Sequence, residues 1–273
     1  MSTSVTLILP AYNEAARLGP ALDELFAWLD GDGRSLAGLA VLVVDDGSSD
    51  GTADLVRARP EARCGPGTRP RLRVLTVPHR GKGSAVRAGM LAGEGDYLVF
   101  TDADMATPPD ELPKLLKALD SADVALGSRI QPDGSDMRAS QPALRRLLGR
   151  MFHLLASVWV VGPVQDTQCG FKGFTRPVAR DLFSLQRVTS IVFDVELIHL
   201  ARRRGYRIEI VPIQWADRLG SRMRARPGLA LRVAWDLFRI PLIHRQVRRV
   251  RAGASTPQPD SPVGPAEIER PLD

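Results

Sequence analysis

Cysteine, aromatic rings, lysine and long hydrophobic runs are all scarce in this 273-residue chain. Its two cysteines, Cys64 and Cys169, are far apart and neither has a C-x-x-C partner. That argues against a disulfide framework and a cysteine zinc site, and it fits a reducing cytoplasmic setting. The four histidines (79, 153, 199, 244) show no paired metal spacing, so ordinary surface or core roles are expected for each. Aromatics make up 5% of the residues, too few for a series of base-stacking platforms, and no nucleic-acid partner is expected despite a net charge of +6. No uninterrupted apolar stretch approaches the roughly 18 to 20 residues that span a bilayer. The longest candidate, Met151 to Val164, is shorter and contains His153. A strand-like run begins within a few residues of Met1, so no signal peptide is expected.

What is present is ordinary in amount and uneven in placement. Hydrophobic residues are 44% and charged residues 25% of the chain, and the length suits one large domain with appendages. Between Arg222 and Arg251 stand nine arginines (222, 224, 226, 232, 239, 245, 248, 249, 251) and one acid, Asp236. Such a block attracts phosphate-bearing surfaces, anionic lipid among them. Within it, Leu229 to Ile240 reads as a helix with Arg232, Asp236 and Arg239 along one edge and a broad apolar face containing Trp235 around the rest. Residues 252–273, rich in Pro, Ser and Gly, read as a disordered tail.

Upstream, apolar runs at Val5 to Leu9, Ala40 to Val44, Leu72 to Val77 and Tyr97 to Thr101 alternate with helical patterns at Ala15 to Leu29, Thr52 to Arg59 and Ser84 to Leu91. This alternation predicts an α/β fold, a mostly parallel sheet flanked by helices. A helix from Pro108-Pro109 to Leu119, a strand from Ala122 to Leu126, a mobile loop from Gln131 to Gln141, helices at Leu144 to Val161 and Phe193 to Arg203, and a strand from Tyr206 to Ile213 are expected to follow. Asp194 and Glu196 stand in the first turn of the Phe193 helix, where carboxylates suit its dipole.

Three predicted strands end in polar residues: Pro10-Ala11-Tyr12-Asn13-Glu14, Asp45-Asp46 and Asp102-Ala103-Asp104. In an open parallel sheet such ends share the edge where ligands bind. Asp102 and Asp104, if extended, point the same way and suit Mg2+ or Mn2+ held together with a diphosphate. Gly47-Ser48-Ser49-Asp50-Gly51 matches the G-x-S-x-G of a nucleophile elbow, but Asp45 and Asp46 beside it disfavour an oxyanion, and a turn capping the next helix is the plainer reading. The same stretch starts like a calcium loop but has Arg57 where a bidentate Glu is needed. Arg80-Gly81-Lys82-Gly83-Ser84 opens a helix and offers amides and Lys82 to phosphate, without P-loop spacing.

Together with Gly127-Ser128-Arg129, Asp166-Thr167-Gln168-Cys169-Gly170-Phe171-Lys172, Phe193-Asp194-Val195-Glu196-Leu197, Trp215 and Gly220-Ser221, these motifs resemble glycosyltransferase family 2, enzymes of GT-A fold that use nucleotide-diphospho-sugars. The later motifs are similar to those of dolichyl-phosphate β-glucosyltransferases and bacterial polyprenyl-phosphate relatives. The resemblance implies that Pro10, Tyr12, Glu14 and Asp45 hold base and ribose, that Lys82, Asp102 and Asp104 serve diphosphate and metal, and that Arg129, Arg138 and, less directly, Arg222 meet phosphate charge, with Asp104, Arg129 and Arg138 as the catalytic set. It implies an inverting transfer of a single hexose, glucose from UDP-glucose, to a polyprenyl or dolichyl phosphate, since the Q-x-x-R-W of processive synthases is missing. A soluble or saccharide acceptor, a mannose or N-acetylhexosamine donor, and a non-catalytic nucleotide-sugar-binding membrane scaffold stay open beside it. The expected organisation is a GT-A domain at 1–221, a basic amphipathic segment at 222–251 that meets the cytoplasmic face of a membrane, and the tail at 252–273.

Overall fold

The computed structural model describes residues 3–36, 38–63, 70–137, 151–152, 154–162, 164, 166–216 and 227–250, with backbone alone for 227–231. β1 (Val5–Ala11) is apolar almost throughout and buried on both faces, as a central parallel strand must be. β2 (Ala40–Asp45) and β4 (Tyr97–Phe100) flank it in parallel, and β3 (Leu72–Thr76) adds outside β2. β5 (Val124–Ser128), β6 (Lys172–Thr175) and β7 (Ile208–Pro212) complete seven strands in the order β3-β2-β1-β4-β6-β5-β7. β6 is antiparallel to both of its neighbours, so the sheet is mostly, not wholly, parallel. The chain leaves β1 to β2 on one side and later reaches β4 on the other, which opens a crevice at the carboxyl ends of β1 and β4.

Strand alternation distributes the core. Leu7 and Leu9 of β1 face α1 (Ala15–Asp30), whose Leu18, Leu22, Leu25 and Leu29 recur at helical spacing and are fully buried, and α4 (Leu112–Leu119) joins them. Ile8 faces the other way, onto α3 (Lys82–Ala92), α5 (Arg176–Leu185) and α6 (Phe193–Arg204). Helices thus cover both faces, as expected. α2 (Thr52–Ala58) packs beside α1. α3 starts two residues before the expected Ser84, so Lys82 stands in its first turn.

Two expectations need correction. The loop after β5 closes a turn up to Met137, where Ile130 bridges Asp136 and Met137 N–H donates to Arg129 O at 3.0 Å. β6 was not anticipated, because four residues beginning with a lysine carry little strand signal. In α7 (Pro227–Ile243), Asp236 does not line an exposed basic edge; it is buried with Leu237 and Ile240, while Trp235, Phe238 and Leu242 are exposed. Ser190 explains the reversal, donating its hydroxyl to Asp236 Oδ2 at 2.6 Å. Arg138, Arg222, the boundary at 221 and the tail lie outside the described residues. Among the described residues no helix is long and apolar enough to cross a membrane.

α3 lies close on β1 and β2 because Gly89 has no side chain. A Cβ there would come 2.5 Å from Ile8 Cγ2 and 2.7 Å from Val44 Cγ2. Alanine normally favours a helix interior over glycine by about 1 kcal/mol, but overpacking costs about 1–3 kcal/mol. Gly89→Ala is therefore expected to destabilise the protein in urea unfolding, and unchanged or increased stability would show that α3 yields freely.

Candidate active site

Loops leaving β1, β2, β3 and β4 build an open cleft, and the first two are tied together before any ligand arrives. Asn13 N–H donates to Ser48 Oγ at 2.8 Å, and Asn13 Oδ1 accepts Ser49 N–H at 2.8 Å. Glu14 N–H donates to Thr52 Oγ1 at 2.9 Å, and Ala15 N–H to Asp50 Oδ2 at 3.0 Å. The G-x-S-x-G stretch is therefore a turn that caps α1 and α2, with left-handed Gly51 at its end (φ 83°). Ser49 is used in holding Asn13.

Pro10, Tyr12, Glu14, Lys82, Asp102 and Asp104 line the cleft together, as the sequence implied. Asp45 does not. It is buried and accepts Ser48 N–H at 3.3 Å, while its neighbour Asp46 lines the cleft. Asp46 also takes the Arg80 and Gly81 amides at 2.9 Å each, and Gly83 N–H donates to Thr189 O at 3.0 Å. The Arg80, Gly81 and Gly83 amides are thus engaged within the protein, and from this loop Lys82 lines the cleft. His79 has a place too: its ring stacks on Tyr12 at 4.0 Å and its Nδ1 lies 2.9 Å from Asp46 Oδ2. Its adjacency to the Arg80-Gly81-Lys82 loop was the only signal for it, and spacing alone could not reveal the stack.

Asp102 and Asp104 occupy a turn, not an extended segment. Met105 has φ 50°, and Ala106 N–H reaches back to Asp104 Oδ1 at 3.2 Å. Both carboxylates still enter the cleft. Burial, then the charge of Asp102, raises the Asp104 pKa above the ordinary value, against the pull of the Ala106 amide and of Arg17, whose Nη1 is 3.7 Å away. Lys82 Nζ meets Asp102 Oδ1 at 2.5 Å. Burial works against that ammonium, but Asp102, Asp194 and Asp104 outweigh it and raise its pKa. Behind Asp102 stands Gly170, where a Cβ would lie 2.2 Å from Asp102 Oδ2.

Below the cleft, Lys172 is fully buried on β6 and pairs with Asp194 of α6 at 2.6 Å; it also donates to Cys169 O and lies 5.6 Å from the Phe100 ring centre. Asp194 thus has a specific cationic partner besides its helix-end position, and Glu196 likewise accepts Val188 N–H at 2.9 Å and meets His244 Nε2 at 2.7 Å. Arg129 is not a free cation. Its Nε and Nη2 grip Asp166 at 2.8 and 2.6 Å, and its guanidinium lies 5.5 Å from the Trp215 ring centre. Burial disfavours its charge, yet Asp166 more than compensates and raises its pKa.

With this geometry in place, comparison with known proteins is decisive. The sequence pattern described as "Glycosyl transferase family 2" matches residues 6–183. The chain belongs to glycosyl transferase family 2. A dolichyl-phosphate β-glucosyltransferase of Trichomonas vaginalis is 36% identical over 93% of this chain and 76% of its own length. The protein of that description from Drosophila melanogaster is 37% identical over 81% of this chain and 70% of its own. Among solved structures, glucosyl-3-phosphoglycerate synthase from Mycobacterium tuberculosis in complex with UDP superposes with a TM-score of 0.60 at 22% identity, covering 92% of this chain and 82% of that one. That likeness shows the fold of this glycosyltransferase, and the mixed sheet is the GT-A arrangement the motifs implied.

Two measurements check the site. Lys172→Met strands Asp194 as a buried charge and is expected to cost about 3–5 kcal/mol in urea unfolding, with most of it regained in Lys172→Met/Asp194→Leu; equal losses in both would refute the pairing. The second concerns Asp104. Because its pKa is raised in the fold, the folded chain retains a proton that the unfolded chain has lost, so stability falls as pH rises from the ordinary aspartate value through the raised one. Asp104→Asn is then expected to melt higher than wild type at neutral pH in EDTA and to converge with it toward the ordinary aspartate pKa. A constant offset at every pH would contradict this.

Proposed function

We propose that this glycosyltransferase moves one glucose from UDP-glucose to the phosphate of a polyprenol or dolichol, giving a β-linked lipid-phospho-glucose. The observation that supports it most is the 36% identity to a dolichyl-phosphate β-glucosyltransferase across 93% of the chain, read with a cleft that gathers the acidic pair, Lys82 and Tyr12. Pro10 and Tyr12 form the wall for the base, with His79 stacked behind Tyr12. Asp45 contributes through Ser48 to the shape of that wall.

The chemistry asks little of acid–base catalysis. The acceptor phosphate is already anionic, so its oxygen attacks the anomeric carbon directly as the bond to the diphosphate oxygen breaks and UDP leaves with the electron pair. Attack opposite the leaving group inverts the α-linked donor to a β-linked product. The residues serve positioning and charge: Lys82 toward the diphosphate, and Arg129, held by Asp166 beside Trp215, toward the incoming phosphate, with Arg138 and Arg222 assigned to the same task from the motifs.

Asp102 and Asp104 would hold Mg2+ or Mn2+. Two crowded carboxylates, one with its pKa raised partly by the other, form a donor set that a cation relieves, and diphosphate oxygens and water can complete its coordination. Among the described residues no three His, Cys, Asp or Glu side chains cluster as a closed metal cage. Such a cation supplies neutralisation of the leaving diphosphate. A structure of the same fold, glucosyl-3-phosphoglycerate synthase, was solved in complex with Mn2+ and UDP. The GT-A domain at 1–221, the basic segment at 222–251 and the tail at 252–273 together make a peripheral enzyme of the cytoplasmic membrane face.

The test offers purified protein radiolabelled UDP- and GDP-sugars with a polyprenyl phosphate in Mg2+, Mn2+ or EDTA. Label is expected in the organic phase from UDP-glucose alone, lost in EDTA and in Asp104→Ala, with a β linkage by NMR. An α linkage would overturn inversion. Full activity in EDTA would overturn the metal assignment, and donor binding without transfer would favour a non-catalytic binder.

A further inference from the structure

Ten large apolar side chains are exposed among the described residues, and eight of them fall in two short stretches, 151–159 and 235–242. These stretches form one surface. Trp159 Nε1 donates to the Phe238 carbonyl at 3.2 Å, the two rings lie parallel (3°) at 5.9 Å, and Trp235 is 6.0 Å from Phe238. Val158 and Leu154, 79% and 63% exposed, belong to the first stretch and Leu242 to the second. Residues 157–161 form a π-helix, a wide turn that recurs at functional positions. Its last carbonyls are secured from below, Val160 O by His199 Nδ1 at 3.0 Å and Val161 O by Arg202. α7 in turn is anchored by Leu237, Ile240 and the Asp236–Ser190 bond. The platform is therefore a fixed outer face of the domain.

The segment that carries half of it is cationic. Arg232, Arg245, Arg248 and Arg249 are exposed, and the single acid in 227–250, Asp236, is buried against Ser190 and Arg239. A second copy docking through the same patch would oppose arginine to arginine in a two-fold interface, where like charges are costly. An anionic bilayer complements both parts: tryptophan and phenylalanine enter the acyl boundary while arginines meet lipid phosphates. Location agrees. Ser190, which anchors α7, follows Thr189, whose carbonyl takes the Gly83 amide next to Lys82.

We infer that Trp159, Trp235 and Phe238, with Val158, Leu154 and Leu242, form a composite platform that inserts into the headgroup and acyl boundary of an anionic membrane, one loop away from the donor cleft. This deepens the proposed transfer to a lipid phosphate and rests on that reading for its purpose. Insertion depends on the apolar rings of two segments, so arginine attraction alone is insufficient.

The experiment uses the full chain with vesicles of phosphatidylcholine and phosphatidylglycerol, plain or brominated in the acyl chains. Tryptophan fluorescence is expected to shift blue on plain vesicles and to be quenched by brominated ones. Trp235→Ser/Phe238→Ser is expected to weaken vesicle partition at least about tenfold, or about 1.4 kcal/mol, because two buried rings are lost, while UDP-glucose binding and transfer to a short, water-soluble prenyl phosphate remain unchanged. Val158→Asp, at the most exposed position, gives the same reading should the double variant fold poorly. Undiminished partition of these variants, absence of quenching, or a stable dimer that they dissolve would overturn the platform. If wild type is quenched yet labels no prenyl phosphate, long or short, the acceptor reading fails and the platform stands. Transfer to the soluble acceptor without vesicle binding does the opposite: the platform fails and the acceptor reading stands.

Discussion

The acidic cleft stands on a lysine that sees no water. Lys172 and Asp194 meet inside the domain, joining β6 to α6 directly beneath the acidic turn. Either charge alone would be prohibitive there, and the pair is tolerable because Phe100 and the Cys169 carbonyl complete the ammonium's surroundings. Fixing β6 between β4 and β5 also fixes the loop before it. That loop carries Asp166 to Arg129 and Gly170 to Asp102, so the positions of both the arginine and the aspartate follow from one buried contact. Lys82 extends the alternation upward, its charge supported by Asp102 on the surface side and Asp194 below.

Much of this was legible in the sequence, and several of the parts that were not share a cause. β1, β2 and β4 are continuous apolar runs because both faces of a central parallel strand are covered, and their polar ends marked the crevice directly. Asp102, Asp104, Tyr12 and Glu14 stand at strand ends and Lys82 at a helix start, and the structure brings all five to one cleft. β6 was too short to read and Asp45 turned inward to the nearby Ser48 amide, but the other failures are charges whose partners are distant in sequence. Lys172 reads as a loop residue until Asp194 is placed beside it, Asp236 reads as solvent-facing until Ser190 is, and the Arg80 and Gly81 amides look free until Asp46 claims them. Periodicity sorts residues by polarity, and a satisfied buried charge is the case it sorts wrongly.

The cleft is also held in electrostatic tension. Glu14, Asp102 and Asp104 crowd one end, moderated by Arg17 and Lys82, and Asp104 shows the strain in its raised pKa. Stability and readiness oppose each other there, an expected signature of a site shaped for a charged ligand. By contrast the β1 and β2 loops are cross-bonded through Asn13, Ser48, Ser49, Asp50 and Thr52, so the Tyr12 side of the cleft is braced by hydrogen bonds while the acidic end is held by ion pairs.

The empty space at Gly170 has an evolutionary consequence. Asp102 fills the place where any other residue would begin its side chain. The acidic turn and the Cys169-Gly170-Phe171 stretch, far apart in the chain, are therefore coupled in what they can inherit. A side chain at position 170 is open to descendants of this sequence only where the Asp102 carboxylate swings aside or is shortened, so a change there is felt in the acidic turn.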